Sequence, residues 1–452
     1  MQSLINGIIL VILTLWIARI YLQDSKKMRT ITFPYQENTK YILSPNLYFC
    51  IFTVCTAPMY LHPFSLIKYG IWLAVILLLI ASGKIKLKFN AVTITYIIFL
   101  SWAILSISYT KAHSPEFAFN SLLRFSLPIF YLWLGYNAIE SKYSLLLFSR
   151  ITLKTILFYI FWIGGISAVY FPFIYSSPIG NGIFLTYAGF ADYLTSLAPL
   201  TLFMYFITKR KIYILISLLM VISTILEAVR TGLGGLFIAF SLIIISLYRI
   251  RSVFPLIAII FTGISIIAFV PSIRDKMFYK ENETTFQEVA TGEVMNKEDI
   301  RDNGRYELWE RSLDHHYKGR ELTGSGIGST TQWLRMEHER KNTAVLLHDD
   351  YVLILCEMGL IGLILFIIFS LTFIYNCVES IFSPKTNLWV RMGATIAFAS
   401  YGGILFSMGF DNVFGHSMTS IINPFIFMGF FIKLKELYSK ENEQAYTIIP
   451  KS

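Results

Sequence analysis

The feature that most constrains this chain is a succession of apolar blocks, each long enough to cross a membrane as a helix. A spanning helix needs about 20 apolar residues, and an outer-membrane barrel would show alternating rather than continuous apolar segments. Only 15% of the 452 residues are charged, which excludes an ordinary soluble enzyme or a secreted disulfide scaffold. The blocks lie near residues 3–21, 46–62, 66–83, 90–108, 118–139, 152–172, 188–207, 211–229, 232–248, 253–271, 351–376, 391–410 and 416–433. We therefore expect an all-α polytopic membrane protein with about 13 transmembrane helices, within a range of about 12–14.

The net charge of +10 is unevenly distributed along the chain. Residues 272–347 hold 12 Lys/Arg and 14 Asp/Glu, so the basic excess lies in alternate short connectors of the remaining sequence. Such connectors usually face the cytoplasm. We therefore expect an inner-membrane protein with an external N-terminus, a cytoplasmic C-terminus and no nucleic-acid partner. The basic connectors contain Lys26, Lys27, Arg29, Lys84, Lys86, Lys88, Lys142, Arg150, Lys154, Lys209, Arg210, Lys211, Arg249, Arg251, Lys385, Arg391, Lys433 and Lys435.

The same pattern divides the chain into regions. The expected regions are an N-terminal transmembrane bundle of about ten helices at 1–271, an extracytoplasmic loop domain at 272–350, C-terminal transmembrane helices at 351–434 and a cytoplasmic tail at 435–452. The N-terminal block lacks the basic segment and cleavage pattern of a signal peptide, so we expect a retained helix. The loop domain is too long to be structureless, and we expect it to be mainly helical and functional. Within it, 297–317 is predicted to be an amphipathic helix.

Two arginines lie where they could bind an anion. Arg230 joins two apolar blocks on the predicted outer side, and arginine near a bilayer usually lines a cavity or pairs with an anion. Snorkelling to headgroups, or pairing with Glu227, is the alternative. Arg305 follows Gly304 at a predicted helix start, where it and the first N–H groups could hold an anion. By spacing alone, a solvated arginine paired with Glu307 or Glu310 on an exposed helix is the favoured alternative.

Several further polar residues are candidates on the predicted outer side. His348 stands beside Asp349 where the loop re-enters the membrane, and it could act as a base or donate to a phosphate oxygen. An interfacial histidine held by Asp349 is the alternative. Arg124 lies inside an apolar block, where it lines a lipid or sugar path or forms a buried pair. The second-rank candidates are Asp349, Asp350, Arg124, Asp411 and His416.

Two other patterns predict less. His315, His316 and His338 lack the spacing of a metal site, and residues 272–347 contain no cysteine, so we expect no metal. The segment Gly324-Ser325-Gly326-Ile327-Gly328 reads as a loop, and its spacing departs from the dinucleotide fingerprint. The sequence leaves open whether the backbone of this loop binds a substrate phosphate or sugar.

These motifs occur in a recognisable order. An arginine precedes a small-residue helix (Val229-Arg230-Thr231-Gly232), a large loop carries Gly304-Arg305 with Trp309 and then Gly324-x-Gly326, and His348 is followed by Gly359-Leu360-Ile361-Gly362. Over residues 185–376 the chain resembles the O-antigen ligase and O-antigen polymerase group of bacterial surface-polysaccharide membrane proteins. The ligase pattern H-[NSQ]-x9-G-x-x-G-T-T is kept at the histidine and both glycines, and is broken at Asp349 and at Leu363-Ile364. These departures favour a polymerase.

The resemblance implies a metal-independent, inverting glycosyltransferase without a cofactor, acting at the outer face of the inner membrane. Its donor would be an oligosaccharide on undecaprenyl pyrophosphate, with membrane lipid and a chain-length regulator as further partners. Arg230 and Arg305 match the family arginines that hold the pyrophosphate, and His348 matches the essential histidine. The alternatives are a ligase that transfers finished glycan to lipid A core or protein, and a transporter of the lipid-linked sugar. A transporter usually shows two similar halves, and the sequence has no such repeat.

Overall fold

The computed structural model describes residues 44–58, 65–170, 187–226, 230–269, 304–341, 346–415 and 419–447, with scattered positions between 11 and 23. These residues form fourteen α-helices and two short 3-10 helices, and contain no strand. The α-helices are α1 (Pro45–Thr56), α2 (Ser65–Ala81), α3 (Ala91–Leu105), α4 (Pro115–Ala138), α5 (Lys142–Tyr170), α6 (Tyr187–Thr208), α7 (Ile212–Leu226), α8 (Arg230–Tyr248), α9 (Val253–Phe269), α10 (Arg305–His316), α11 (Ser329–Lys341), α12 (Asp350–Phe382), α13 (Leu388–Met408) and α14 (Ile422–Thr447).

The all-helical class predicted from the sequence is confirmed for the described residues. A helix overlaps twelve of the thirteen predicted blocks, and most of the first block, near 3–21, lies outside the described residues. Within the described ranges, five helical segments are long and apolar enough to cross a membrane: Ala91–Tyr109, Pro115–Ala138, Phe190–Thr208, Arg230–Tyr248 and Asp350–Phe382. The total of thirteen spans and the region boundaries stay predictions.

Small residues allow the central helices to cross closely. Gly235 on α8 faces the Gly403 carbonyl and the Ser407 hydroxyl on α13, so that a methyl group at Gly235 would lie 3.0 Å from each oxygen. Gly135 on α4 and Gly429 on α14 likewise lie against backbone atoms of the opposite helix. Close approach of backbones is the usual packing solution between membrane helices, because lipid is as apolar as the side chains.

An aromatic core lies where α3, α12, α13 and α14 meet. The ring of Tyr96 on α3 lies 4.8 Å from Phe369 on α12 and 5.3 Å from Phe425 on α14, in edge-to-face contacts. The Tyr401 ring on α13 lies 6.0 Å from Phe369, and its hydroxyl is 2.7 Å from the Ser370 hydroxyl. Edge-to-face pairing stabilises buried rings beyond their area, and the buried hydroxyl has a partner. These contacts fix α12 and α13, the two helices that flank the candidate site.

Basic residues of several connectors meet at one end of the bundle. The Lys88 ammonium lies 2.9 Å from the Glu436 carboxylate on α14, and Lys435 lies 2.9 Å from Glu379 on α12. Helix α12 runs from Asp350, beside His348, to this other end. The bundle therefore has a basic end, marked by Lys88, Glu379 and Lys435, and an opposite end that carries His348, here called the His348 end.

Helix α12 is interrupted at Gly359, where the backbone takes the non-helical angles φ 66 and ψ −168. A break inside a membrane helix frees backbone groups that must find partners within the protein. Trp102 Nε1 donates to the Met358 carbonyl at 2.9 Å. Segment 321–328 supplies the other partners, because it lies along the break. The Ser325 and Gly326 N–H groups donate to the carbonyls of residues 356 and 357, and the N–H groups of residues 360 and 361 donate to carbonyls of the segment at 2.8 and 3.2 Å.

Candidate active site

His348 occupies the turn immediately before α12 in a strained backbone conformation. Its φ of 55 lies in the left-handed region, which costs a non-glycine residue energy and is often found at functional sites. A residue of the segment after α13 stabilises this turn, because the His348 N–H donates to the Asn412 side-chain carbonyl at 3.0 Å. The strain is therefore supported by a partner from a distant part of the chain.

The His348 ring faces two polar side chains of different character. Its Nδ1 lies 3.3 Å from an Asp411 carboxylate oxygen and 3.3 Å from the Asn412 amide nitrogen. If Nδ1 carries the proton and donates to Asp411, Nε2 is an acceptor and can serve as a base. If Nδ1 instead accepts from Asn412, Nε2 carries the proton and can donate. The His348 side chain is 32% exposed while Asp411 is 6% exposed, so the histidine is the accessible member of the group.

The two carboxylates that follow His348 organise the turn. Asp349 caps α12, accepting from the Val352 N–H at 2.9 Å. Burial raises the pKa of Asp349 to about 6, although the N–H groups of Val352 and Tyr351 lower it in part. Asp350 is fully buried and accepts from the Phe414 N–H at 2.9 Å. Both second-rank candidates thus lie beside His348, and Asp350 connects α12 to the segment that holds it.

Arg305 also contacts the segment that follows α13. It is the first residue of α10, after Gly304 with φ 74, and its guanidinium Nη1 donates to the Phe410 carbonyl at 2.6 Å. Helix α10 is itself fixed near His348, because Trp309 Nε1 donates to the Leu347 carbonyl at 2.8 Å. Two of the three predicted residues, separated along the chain, therefore converge on residues 410–412.

Arg230, the third predicted residue, opens α8. This helix packs antiparallel to α13, with Gly234 against the Phe406 ring and Gly235 against Ser407. Arg230 precedes Gly234 by four residues, about 6 Å along the helix axis. Arg230 therefore lies at the His348 end of the bundle, at the level where α13 ends, just before Phe410. Glu227, its suggested partner, lies outside the described residues.

The glycine loop has a structural role that the sequence did not reveal. A methyl group at Gly324 would lie 2.7 Å from the Cys356 carbonyl, one at Gly326 would lie 2.7 Å from the Thr110 nitrogen, and one at Gly328 would lie 2.5 Å from the Ala118 nitrogen. All three have positive φ. The glycine spacing therefore lets segment 321–328 pack against the backbones of α12, of Thr110 and of α4. These contacts occupy the face of the loop that could otherwise have bound a phosphate or sugar.

The neighbouring histidines His315 and His316 have local partners. His315 stacks on Trp333 with a ring separation of 5.2 Å, and His316 Nδ1 lies 2.9 Å from the Ser325 hydroxyl. Burial and nearby positive charge lower the pKa of His316 to about 3. In the part of the chain that the structure describes, no three His, Cys, Asp or Glu residues are grouped to hold a metal ion. His416 falls outside the described residues, as does the start of the predicted 297–317 helix, of which α10 is the described part.

Sequence reasoning missed three residues of this region. Asn412 binds both the backbone and the ring of His348. Asp192 on α6 is fully buried, accepts from the Ser420 hydroxyl at 3.5 Å and interacts electrostatically with Asp411. Glu357 on α12 is fully buried and interacts electrostatically with Arg124. The rule that singled out Arg124, that a charge inside an apolar block is rarely idle, applies equally to both carboxylates.

A family model matches part of this chain. Residues 215–367, about a third of the chain, match a family model described as O-antigen ligase. The matched range contains Arg230, Arg305, His348 and the break at Gly359, whereas Arg124 and Asp411 lie outside it. A search of curated proteins found no match. The match supports the O-antigen polymerase and ligase family and confirms the resemblance seen in the sequence.

Proposed function

From its match to the O-antigen ligase family, we propose that this integral membrane protein is a polymerase of lipid-linked glycans. It would join undecaprenyl-pyrophosphate-linked oligosaccharide repeat units into O-antigen, capsule or a related surface polysaccharide. The observation that carries the proposal is the convergence of Arg305 and His348 on residues 410–412, with Arg230 opening a helix at the same end of the bundle. Cation, imidazole and carboxylate are thereby grouped at the end of the bundle where α12 begins.

The reaction is an inverting glycosyl transfer. An acceptor hydroxyl oxygen attacks the anomeric carbon of the donor sugar, the bond from that carbon to the pyrophosphate oxygen breaks, and the bonding electrons leave with undecaprenyl pyrophosphate. Arg230 and Arg305 stabilise this leaving group, since guanidinium forks match phosphate oxygens and act where charge develops. The arginines supply this positive charge themselves, so the step as proposed includes no metal ion or cofactor.

His348 handles the proton of the acceptor hydroxyl. When the Nδ1–H group donates to Asp411, Nε2 is free to accept the proton of the acceptor hydroxyl as the new carbon–oxygen bond forms. Asp411 then stabilises the resulting imidazolium. The alternative tautomer, in which Asn412 donates to Nδ1, would make Nε2–H a donor to the pyrophosphate. We favour the base, because the acidic Asp411 is the stronger partner for a ring that becomes positively charged.

The orientation proposed for this site is outward. The basic end of the bundle, with Lys88 and Lys435, would face the cytoplasm by the charge bias of its connectors. The His348 end would then face the periplasm or exterior, where the lipid-linked glycan is displayed. The lipid tail would lie among the helices and the sugars would occupy the space beneath α10 and α11.

A reconstitution experiment separates polymerase from ligase and transporter. Purified protein is incubated with lipid-linked repeat units alone, and the glycan length is followed on gels. A ladder of longer glycans supports the polymerase. Product that forms only after lipid A core or a protein acceptor is added supports the ligase, the description that the family model carries. Movement of the lipid across vesicles with no change in glycan length would support a transporter.

Variants then test the assigned residues. Arg230→Ala and Arg305→Ala should abolish extension while membrane insertion persists, and lysine should rescue poorly because it lacks the planar fork. His348→Ala should be severely impaired. Arg335→Ala is the control, since Arg335 is exposed on α11 and pairs only with Glu339 among its described partners of opposite charge. Wild-type extension by both arginine variants would refute the mechanism.

A further inference from the structure

The break of α12 separates the Cys356 carbonyl from its regular helical partner. In an uninterrupted helix this carbonyl would accept from the N–H four residues later, but the Leu360 N–H donates to the Glu321 carbonyl at 2.8 Å instead. Ser325 replaces that donor twice, because its N–H lies 2.9 Å and its hydroxyl 3.0 Å from the Cys356 carbonyl oxygen. Ser325 therefore completes the broken helix through its side chain as well as its backbone.

The same hydroxyl contacts the last residue of α10. His316 Nδ1 lies 2.9 Å from the Ser325 Oγ, and the Ser329 hydroxyl contacts the same oxygen. The pKa of His316 is lowered to about 3 by burial and nearby positive charge, so the ring is neutral. Since a hydroxyl has one proton, its donation to Cys356 leaves the Oγ lone pairs to accept the Nδ1–H of this ring. Hydrogen bonds therefore connect α10 through Ser325 to the break of α12.

This connection is one of two attachments that set the direction of α10. The middle of the helix is attached beside His348, because Trp309 Nε1 donates to the Leu347 carbonyl at 2.8 Å. Arg305 and His316 lie about 6 Å and about 10 Å along the axis on either side of Trp309. If α10 pivots at Trp309, a shift of about 1.5 Å at His316 moves Arg305 by about 1 Å. A displacement of about 1 Å in a positioning group can lower a reaction rate about a hundredfold.

Neither member of this pair can act on the substrate directly. The side chains of His316 and Ser325 are buried, so a lipid-linked sugar does not reach the hydroxyl. We propose that Ser325 is a positioning residue, whose hydroxyl joins the end of α10 to the break of α12 and thereby sets the place of Arg305 relative to His348. The inference rests on the proposed function for its effect on activity, whereas its effect on α10 rests on the hydrogen bonds alone.

Removal of the hydroxyl tests the effect on activity. In Ser325→Ala, kcat for glycan extension should fall about tenfold or more, because Arg305 acts on charge that develops in the transition state, and the donor KM should change by less than about threefold. The matched control is Ser312→Ala, since the Ser312 hydroxyl is buried on α10 but bonds within its own helix, to the Leu308 carbonyl at 2.7 Å. Equal losses of kcat in the two variants would overturn the proposal.

Two changes at His316 test the same hydrogen bond from its other partner. His316→Asn keeps a side-chain N–H near the position of Nδ1, whereas His316→Leu has nearly the shape of asparagine without a donor. The asparagine variant should keep about half of kcat or more, and the leucine variant should lose as much as Ser325→Ala. Equal activity of the two variants would contradict the proposal. This pair also decides the question if Ser325→Ala does not accumulate in membranes.

A double variant tests whether Ser325 acts through Arg305. Arg305→Lys is expected to retain a low rate of extension, against which a second change can be measured. Adding Ser325→Ala should lower this rate by less than about twofold, because the arginine that Ser325 positions is already absent. A further loss of about tenfold would show that Ser325 affects the reaction by another route.

Hydrogen exchange separates this inference from the proposed function. Amide exchange of the purified protein in detergent is followed by mass spectrometry, which requires no glycan extension. Ser325→Ala should speed exchange in α10 about tenfold, while exchange in α14 stays at the wild-type rate and Ser312→Ala leaves α10 unchanged. Unchanged exchange in α10 of Ser325→Ala would overturn the attachment. Faster exchange in that variant, together with a wild type that extends no glycan, would support the attachment and contradict the proposed function.

Discussion

Replacing Gly359 by alanine should cost much more stability than the same change at another glycine with positive φ. At Gly359 the methyl group would lie 2.5 Å from the Thr323 nitrogen, inside segment 321–328. With φ 66 and ψ −168, Gly359 lies in a backbone region that is occupied essentially by glycine, and this costs alanine about 1–3 kcal/mol. Displacing the segment also breaks the bonds from the residue 360 and 361 N–H groups, at about 1 kcal/mol each. The expected total is about 3–5 kcal/mol.

Gly319 provides the matched control for this prediction. Its φ is 77, but no other atom lies within 4 Å of the position that a methyl group would take, so Gly319→Ala isolates the backbone cost of about 1–2 kcal/mol. Unfolding by denaturant in detergent gives the two free-energy changes, and trypsin cleavage after Lys318 or Arg320 reports release of the segment. Equal losses for both variants, with unchanged cleavage, would refute the idea that segment 321–328 stabilises the broken helix.

Three other outcomes follow from the site. Asp411→Asn should lower the extension rate by about a hundredfold by removing the carboxylate that supports His348, with exposed Asp314→Asn as control. Because the native pKa of His316 is about 3, the unfolded state gains its proton first, so the unfolding midpoint should fall as pH drops below about 6.5. His316→Gln should weaken this dependence and His315→Gln should keep it. Extension should persist in EDTA; loss on chelation and recovery with a divalent ion would restore a metal to the mechanism.

The helical blocks were predictable because their signal is local. Backbone groups in a membrane must be satisfied within each helix, so a continuous apolar run such as 90–108 or 351–376 is sufficient to place one. The interruption of α12 was not predictable from hydropathy, because the run continues through Gly359. Its stability depends on Trp102 and on segment 321–328, which are remote in sequence.

The candidate residues divide in the same way. Arg230, Arg305, His348 and Arg124 stood out because each is polar beside apolar helices or in the one hydrophilic loop. Asn412 did not, since an asparagine in a short connector is identified only by what it faces. Glu357 was overlooked, although the rule that singled out Arg124 applies to it as well. The sequence left open whether the glycine loop cradles a substrate, because the backbones that lie against it belong to three other elements.

The sequence by itself determined the helical class, the alternation of basic connectors and the polar residues available at the predicted outer side, since each follows from local composition and the cost of placing charge in lipid. Only the tertiary structure decided that Arg305 and His348 meet at residues 410–412, and that α12 breaks at Gly359. Both arrangements depend on hydrogen bonds between residues far apart in the chain, whose partners no local pattern specifies.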